Sequence, residues 1–332
     1  ADGFDCSVLK GRRMINLDSE EEGRLWVSCA GGVSGNSYLP VQRVEASGEK
    51  VSIKITGLTG GHSGAEIHKN RASANILIGQ FLYELGSICG YALKDLEGGL
   101  KDNAIPRECT AALLVLPEEV SLVTSQAEKM QAAFREEYAG SDENITIQVT
   151  KEGNEYAEVL HPTSQEKVIF FLMNLPFGVK KMSGTIEGLV ETSCNPGIMK
   201  LYRDELFVQT SIRSSVGSAK EALSHKIQYL SEFLGGEYDT EGNYPAWEYR
   251  KDSRLRDKMV EVYKEMYHQD LQVVAIHAGL ECGLFYERME GLDCTSLGPN
   301  ILDIHTYEER LDMPSVKRVW EYLVKVLEAL KD

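Results

Sequence analysis

The sequence predicts an α/β protein in which a layered sheet domain receives a long α+β insertion. Strand patterns at residues 13–17 and 272–276, together with an amphipathic helix pattern at 315–330, indicate a sheet domain built from both ends of the chain. The middle of the chain alternates strands with helices and differs in character from both ends. We therefore assign residues 1–45 and 246–332 to the sheet domain and 46–245 to the inserted domain.

The inserted domain has a partly repeated order of elements. Its first half reads as a βαββαβ unit, and the second half recurs in element order but not in residues, which predicts two βαβ-like halves. The strand patterns lie at residues 49–57, 91–93, 109–116, 145–150, 189–195, 198–202 and 205–213. The helix patterns lie at residues 70–85, 122–138, 164–174 and 219–234.

Composition narrows the classes of partner. The 332 residues carry 51 acidic and 35 basic side chains, for a net charge of −16. This field repels nucleic acids and anionic lipid surfaces but admits metal ions and zwitterionic small molecules. The chain has no apolar stretch of about 20 residues, so we expect no membrane span. Seven cysteines without a CxxC pair indicate free thiols and a cytoplasmic protein.

Two residues at the ends of the chain are candidate metal ligands. Asp18 follows a strand and precedes Glu20, Glu21 and Glu22, a crowding of negative charge that a cation would offset. His305 follows a Gly-Pro turn and stands among carboxylates that could orient a zinc-bound imidazole. A solvated acidic turn and a surface histidine are the alternatives, and each is the more common case for an isolated residue.

The inserted domain and the loop after the 272–276 strand supply candidate substrate ligands. His62 lies in the glycine-rich string GGHSG, from which it could donate a hydrogen bond to a developing oxyanion. Arg213 ends a strand and could bind a carboxylate with two hydrogen bonds. Asn103, His277 and Glu281 lie in loops. Taken singly, each of these residues is more often structural than functional. The chain contains neither a GxSxG nor a P-loop motif.

Several strings together resemble the aminoacyl-histidine dipeptidases, the Xaa-His or carnosinase-type dipeptidases of the two-zinc metallopeptidase superfamily. They occur in the family's order along the whole chain. The strings are INLDSEEEG at 15–23, CAGG at 29–32, GLTGGHSGAEIH at 57–68, NAIPRE at 103–108, VETS at 190–193, SIRS at 211–214, IHAGLECGLF at 276–285 and SLGP at 296–299.

The resemblance implies a sheet domain with an inserted lid domain, hydrolysis of a dipeptide of the Xaa-His class, two zinc ions per complete site, and a homodimer as the candidate assembly. Two zinc ions would activate a bridging water, and a glutamate would accept its proton. The implied metal ligands are Asp18 and His305; the implied catalytic residue is His62; the implied substrate ligands are Asn103, Arg213, His277 and Glu281.

The chain departs from the family pattern in two respects. We find no match to the segment that supplies the first zinc histidine, the bridging aspartate and the Glu-Glu pair, and residues 305–309 read HTYEE where HSPDE is typical. Since a catalytic zinc has about three protein ligands, we expect this polypeptide alone to be inactive. The alternatives are a non-catalytic lid or dimerisation fragment and a dipeptide-binding module without metals.

Overall fold

The structure is a computed structural model that describes residues 3–304 and 306–331. It is an α/β fold with a small four-stranded sheet, a large nine-stranded sheet and two two-stranded sheets. The helices are α1 Ala74–Gly86, α2 Val120–Glu137, α3 Pro162–Asn174, α4 Gly217–Phe233, α5 Arg254–Tyr267, α6 Cys282–Arg288 and α7 Met313–Ala329. The strands are β1 Arg13–Asn16, β2 Arg24–Cys29, β3 Gly31–Pro40, β4 Arg43–Thr56, β5 Gly61–His62, β6 Tyr91–Gly98, β7 Ala104–Ile105, β8 Cys109–Val115, β9 Thr146–Leu160, β10 Gly178–Met182, β11 Val190–Leu201, β12 Glu205–Ser214, β13 Glu237–Tyr244, β14 Gln272–Ile276, β15 Asp293–Ser296, β16 Ile301–Leu302 and β17 Arg310–Leu311.

The small sheet joins the two ends of the chain. Its order is β1-β15-β2-β14, and the β1–β15 and β2–β14 pairs are parallel. Helices α5 and α7 pack together beside it. Leu25, Met259 and Val326 are fully buried in the core that these helices share with β2. The strands predicted near the two ends of the chain, β1 and β14, therefore belong to one sheet and form its two edges.

The large sheet is antiparallel and has the order β13-β3-β12-β11-β6-β8-β4-β9, with β10 paired to β11. Its principal core contains fully buried side chains from the strands and from α1, α3 and α4, among them Ile53, Phe81, Phe171 and Ile227. Strand β3 belongs to this sheet, so the sheet begins at Gly31. The predicted domain limits at 46 and 245 stay a prediction.

The large sheet consists of two halves with matching topology. In one half, β4, α1, β6, β8, α2 and β9 follow one another, and the strands stand in the order β6-β8-β4-β9. In the other half, β11, β12, β3 and β13 occupy the corresponding places, with α3 and α4 as the helices. The halves meet where β6 pairs with β11 through only two residue pairs, Gly98 with Met199 and Glu97 with Lys200.

The two sheets share a continuous stretch of chain. Strand β2 ends at Cys29 and β3 begins at Gly31, so the single residue Ala30 connects them. The Ala30 N–H donates to the carbonyl oxygens of Ile276 and Ala278, each at 3.1 Å. This connection fixes the start of the large sheet beside the end of β14.

Candidate substrate-binding site

His62 lies on a short ribbon at one end of the large sheet. Strand β5 pairs antiparallel with β7, which sets His62 opposite Ala104. Gly60 and Gly61 precede His62 with φ of +66° and +136°, a backbone region that favours glycine. The Ser63 N–H donates to the Asn103 carbonyl at 2.9 Å. The ribbon therefore brings the predicted residues His62 and Asn103 into adjacent loops.

Hydrogen bonds fix the tautomer of His62. The backbone N–H groups of Gly64 and Ala65 donate to Nδ1 of His62, at 3.1 and 2.9 Å. An imidazole nitrogen that accepts carries no proton, so the ring proton resides on Nε2. Burial, and then the positive charge of Arg213, lower the pKa of His62. At neutral pH His62 is therefore an uncharged ring that donates from Nε2.

Two carboxylates hold the loop of His62. Glu66 Oε2 accepts from the His62 N–H at 3.0 Å, and Glu66 also pairs with Lys69 and Arg71. The Lys69 hydrogen bond and the His62 N–H lower the pKa of Glu66 to about 2. Asp142 is buried and joins both ends of the loop, because it accepts from Thr59 N–H at 2.6 Å and from Ala72 N–H at 2.7 Å.

Arg213 is a buried cation at the end of β12. It is only 9% exposed and lies opposite Ser193 of β11 and Gly32 of β3. Its Nη1 donates to the Tyr244 hydroxyl at 2.8 Å. Its Nε is buried without a hydrogen-bond partner among the described residues. The guanidinium thus retains a donor for a ligand.

His277 follows β14 and is 6% exposed. Its Nε2 lies 2.7 Å from Oγ of Ser193, and its Nδ1 is buried with no partner in the described part of the chain. Burial, followed by the charge of Arg213, lowers the pKa of His277 to about 4. His277 is therefore neutral at physiological pH, and like Arg213 it has one nitrogen without a hydrogen-bond partner among the described residues.

The side chains of His62 and Arg213 and the backbone of His277 converge around Gly64. A Cβ at Gly64 would lie 2.7 Å from the His277 carbonyl oxygen, 3.0 Å from Cε1 of His62 and 3.2 Å from Nε of Arg213. Three elements far apart in the sequence therefore meet at a position that admits no side chain. His62, Arg213 and His277 form what we call the Gly64 cluster.

The Asn103 loop is anchored beside the Gly64 cluster. Asn195 Nδ2 donates to the carbonyls of Asp102 and Ala104, at 3.0 and 2.9 Å, and Ser34 Oγ donates to Asp102 Oδ2 at 2.8 Å. The Asn103 side chain itself is exposed. Glu281 lies four residues after His277 in the same loop, and its side chain is also exposed. Both are accessible to a ligand.

Asp18 lies in the other sheet, just past the carboxyl end of β1. Its side chain is exposed, and its N–H donates to Oδ1 of Asn16 at 2.8 Å. The next residue is fixed in place, because Ser19 Oγ lies 2.6 Å from Ser296 Oγ. His305, the second predicted metal ligand, lies outside the described residues.

The chain has relatives among dipeptidases. Residues 53–142 match the model of the peptidase dimerisation domain. The cytosol non-specific dipeptidase of Escherichia coli K12 is 32% identical over 330 residues, which cover 99% of this chain and 68% of that protein. The crystal structure of aminoacylhistidine dipeptidase from Vibrio alginolyticus superimposes with a TM-score of 0.95 at 31% identity, again over 99% of this chain and 68% of the other. The chain belongs to the aminoacylhistidine dipeptidase family.

Membership in the aminoacylhistidine dipeptidase family makes this protein a peptidase. It confirms the predicted resemblance, and it confirms the predicted α/β fold with an inserted domain. Within the described residues, no helix is long and apolar enough to cross a membrane.

The family resemblance implies a metal site, but the described residues do not contain a complete set of metal ligands. Among residues 3–304 and 306–331, no group of three or more His, Cys, Asp or Glu side chains could hold a metal ion. Asp18 is a hard oxygen ligand suited to zinc, but one carboxylate does not make a zinc site. Of the two predicted metal ligands, only Asp18 thus lies within the described residues.

Three residues of the site were not predicted: Ser193, Asn195 and Tyr244. Ser193 ends the string VETS, which is one of the strings that carry the family resemblance. Asn195 and Tyr244 are neighbours of the cluster only through strand pairing of β11, and of β13 with β3. The sequence carries no local signal for such pairing.

Proposed function

We propose that this protein takes part in the zinc-dependent hydrolysis of dipeptides, with Xaa-His dipeptides as its substrate class and the cytoplasm as its location. The observation that supports this most is the Gly64 cluster, in which one buried cation and two neutral histidines lie close to the same glycine. Seven free cysteines agree with a reducing compartment.

The dipeptide's C-terminal carboxylate is the group that Arg213 binds. A buried guanidinium with an unpartnered Nε favours an anionic acceptor, which offsets its desolvation. The two histidines are neutral at physiological pH, so the cluster carries one positive charge and suits one carboxylate. His277 adds a neutral contact to the same group, while Asn103 and Glu281 contact the rest of the substrate.

His62 stabilises the tetrahedral intermediate. Its Nε2–H is a preorganised donor, because two backbone N–H groups fix the tautomer and Glu66 fixes the backbone. Such a donor stabilises the negative charge that develops on the carbonyl oxygen of the scissile bond. Since the ring stays neutral, its contribution is a hydrogen bond and not a proton transfer.

Zinc would supply the activated water. We propose Asp18 as a ligand of one ion and His305 as a ligand of the other, with the remaining ligands outside these 332 residues. The 332-residue polypeptide by itself is then inactive, and the enzyme assembles as a homodimer through its dimerisation domain. Metal analysis measures the zinc content of the chain, and sedimentation equilibrium measures whether it forms the homodimer.

Calorimetric titration of the chain with an Xaa-His dipeptide and with its C-terminal amide tests the proposal. We expect the free acid to bind at least about tenfold more tightly, because only it offers a carboxylate to Arg213. Arg213→Lys retains the charge but loses the planar donor pair, so it should reduce this preference.

Equal affinity for acid and amide would contradict the proposed function. If the chain alone binds zinc tightly and hydrolyses dipeptides, only the proposed inactivity of the chain is contradicted. Dipeptide binding without zinc, even in the complete protein, would favour the binding-module alternative.

A further inference from the structure

Two N–H donors of the Gly64 cluster are buried and unpartnered among the described residues. They are Nε of Arg213 and, in one of its two tautomers, Nδ1 of His277. Leaving a buried donor without an acceptor is costly, about 1–3 kcal/mol for a neutral group and more for a charged one. Both side chains are more than nine-tenths buried. The arrangement is therefore one that a ligand completes.

Ser193 connects these two residues. It is 1% exposed and stands directly opposite Arg213 in the β11–β12 register. Its Oγ lies 2.7 Å from Nε2 of His277. Neighbouring residues of paired strands have Cβ atoms about 5 Å apart. One hydroxyl thus reaches the histidine ring from the position beside the arginine.

The direction of the Ser193–His277 hydrogen bond decides what His277 offers to a ligand. If the hydroxyl donates to Nε2, the single proton of the neutral ring resides on Nδ1. If Nε2 donates instead, Nδ1 presents a lone pair. A lone pair would repel the same carboxylate that Arg213 attracts, whereas Nδ1–H would add a second donor.

We propose that Ser193 is a positioning residue for carboxylate recognition: it donates to Nε2 of His277 and thereby makes Nδ1–H a donor beside Arg213. This inference rests on the proposed function, since the carboxylate is that of the dipeptide. Ser193 touches the histidine and not the substrate. Its role is to fix a tautomer that makes the pocket selective for a free C-terminus.

Paired variants separate this role from a packing role. Ser193→Ala should weaken binding of the Xaa-His free acid about tenfold, the size expected for a hydrogen bond to a charged group, and should leave binding of the C-terminal amide unchanged. Ser193→Thr keeps the hydroxyl and should restore the preference for the acid. Thr192→Val is the matched control, because it removes a 2.9 Å hydroxyl–hydroxyl bond to Ser214 between the same two strands.

A second measurement reads the tautomer directly. Long-range ¹H–¹⁵N spectra of the histidine rings, assigned with His277→Gln, should show the His277 proton on Nδ1 in the wild type. In Ser193→Ala the proton should shift toward Nε2. A wild-type proton on Nε2, or an undiminished preference for the acid in Ser193→Ala, would overturn the inference. If the wild type binds neither ligand, the proposed function fails, and the tautomer still decides the role of Ser193.

Discussion

At the scale of single residues, the candidate site combines the permanent positive charge of Arg213 with two histidines whose lowered pKa values keep them neutral. Arg213 is buried with its Nε unpartnered in the described part of the chain, and its positive charge opposes protonation of His62 and His277. The site therefore has the same net charge over the physiological pH range. A single carboxylate is the ligand that this charge matches.

The low pKa of His277 predicts a pH-dependent stability. The unfolded chain has an ordinary histidine pKa near 6.5, and the folded chain has a His277 pKa of about 4. Between these values the unfolded state binds more protons, so the free energy of unfolding falls as pH falls from about 6.5 to 4, by on the order of 3 kcal/mol. Urea unfolding across this range should show a flatter decline in His277→Gln. The exposed His225→Gln is the control, and an unchanged slope in His277→Gln would contradict the prediction.

Gly64 is the residue whose substitution should most directly close the site. Gly64→Ala places a methyl group 2.7 Å from the His277 carbonyl and 3.2 Å from Arg213 Nε. The displacement of neighbouring atoms that this methyl group forces should lower the free energy of unfolding by about 1–3 kcal/mol. Dipeptide affinity should fall as well. Gly90→Ala is the control, because its Cβ would meet nothing within 4 Å. Wild-type affinity in Gly64→Ala would show that the cluster is not the binding site.

At the scale of elements, the loop between β4 and α1 depends on a carboxylate from outside it. Asp142 follows α2, is 1% exposed, and accepts from backbone groups at both ends of that loop. The loop's own sequence, rich in glycine, does little to fix its shape. The position of His62 is therefore determined by a residue 80 positions later in the chain.

Asp142→Ala should destabilise the protein by about 1–3 kcal/mol, because the amide of Ala72 becomes a buried donor without an acceptor. Amide exchange of residues 59–72 should accelerate more than exchange in α2. The exposed neighbour Glu143→Ala offers a control that should change neither quantity. Uniform acceleration throughout the chain would indicate a global role and not a local one.

The elements that the sequence predicted well are those with strong periodicity. The predicted helix at 122–138 is α2, and the predicted strand at 272–276 is β14. Residues 189–202, which suggested two strands, form the single strand β11 because an irregularity between Pro196 and Ile198 interrupts its alternation without ending it. Local patterns report such interruptions as boundaries.

The sequence predicted no strand at residues 31–40, which form β3 and contain three glycines. Gly32 lies against the ring of Tyr244, and Gly35 lies against the ring of Tyr238, so that a Cβ at either position would collide with an aromatic ring of the neighbouring strand β13. Glycine here makes room and does not bend the chain. Only the pairing of β3 with β13, about 200 residues away, gives these glycines that meaning.

The sequence proposed members of the candidate site but could not give their geometry. Residue chemistry and motif strings selected His62, Arg213 and His277, which the structure does bring together. Residue chemistry and motif strings could not identify Ser193 or Tyr244, because strand register places these two residues beside Arg213. Whether Asp18 and His305 share a metal centre stays a prediction, since His305 lies outside the described residues.

At the scale of the whole molecule, the two halves of the large sheet are joined by few strand contacts. Asn75 of α1 reinforces this junction, because its Nδ2 donates to the Gly98 carbonyl at 3.3 Å and to the Pro196 carbonyl at 3.1 Å. One side chain therefore links β6 of one half to β11 of the other. It is 1% exposed.

Asn75→Ala should lower the free energy of unfolding by about 1–3 kcal/mol, because two buried carbonyl groups lose a donor. Urea unfolding measures the loss. Asn174→Ala is the matched control: that exposed amide bonds Phe170 within helix α3 and should contribute little. A loss no larger in Asn75→Ala than in Asn174→Ala would mean that packing alone holds the halves together.

The single-residue passage at Ala30 has a consequence for motion. Strand β2 of the small sheet continues into β3 of the large sheet through Ala30 alone. The Ala30 N–H donates to the carbonyls of Ile276 and Ala278, the residues on either side of His277. Any swing of one sheet relative to the other must pull on the peptide that holds this histidine. Under the proposed function, release of the product and loosening of the contact to its carboxylate would then involve the same piece of backbone.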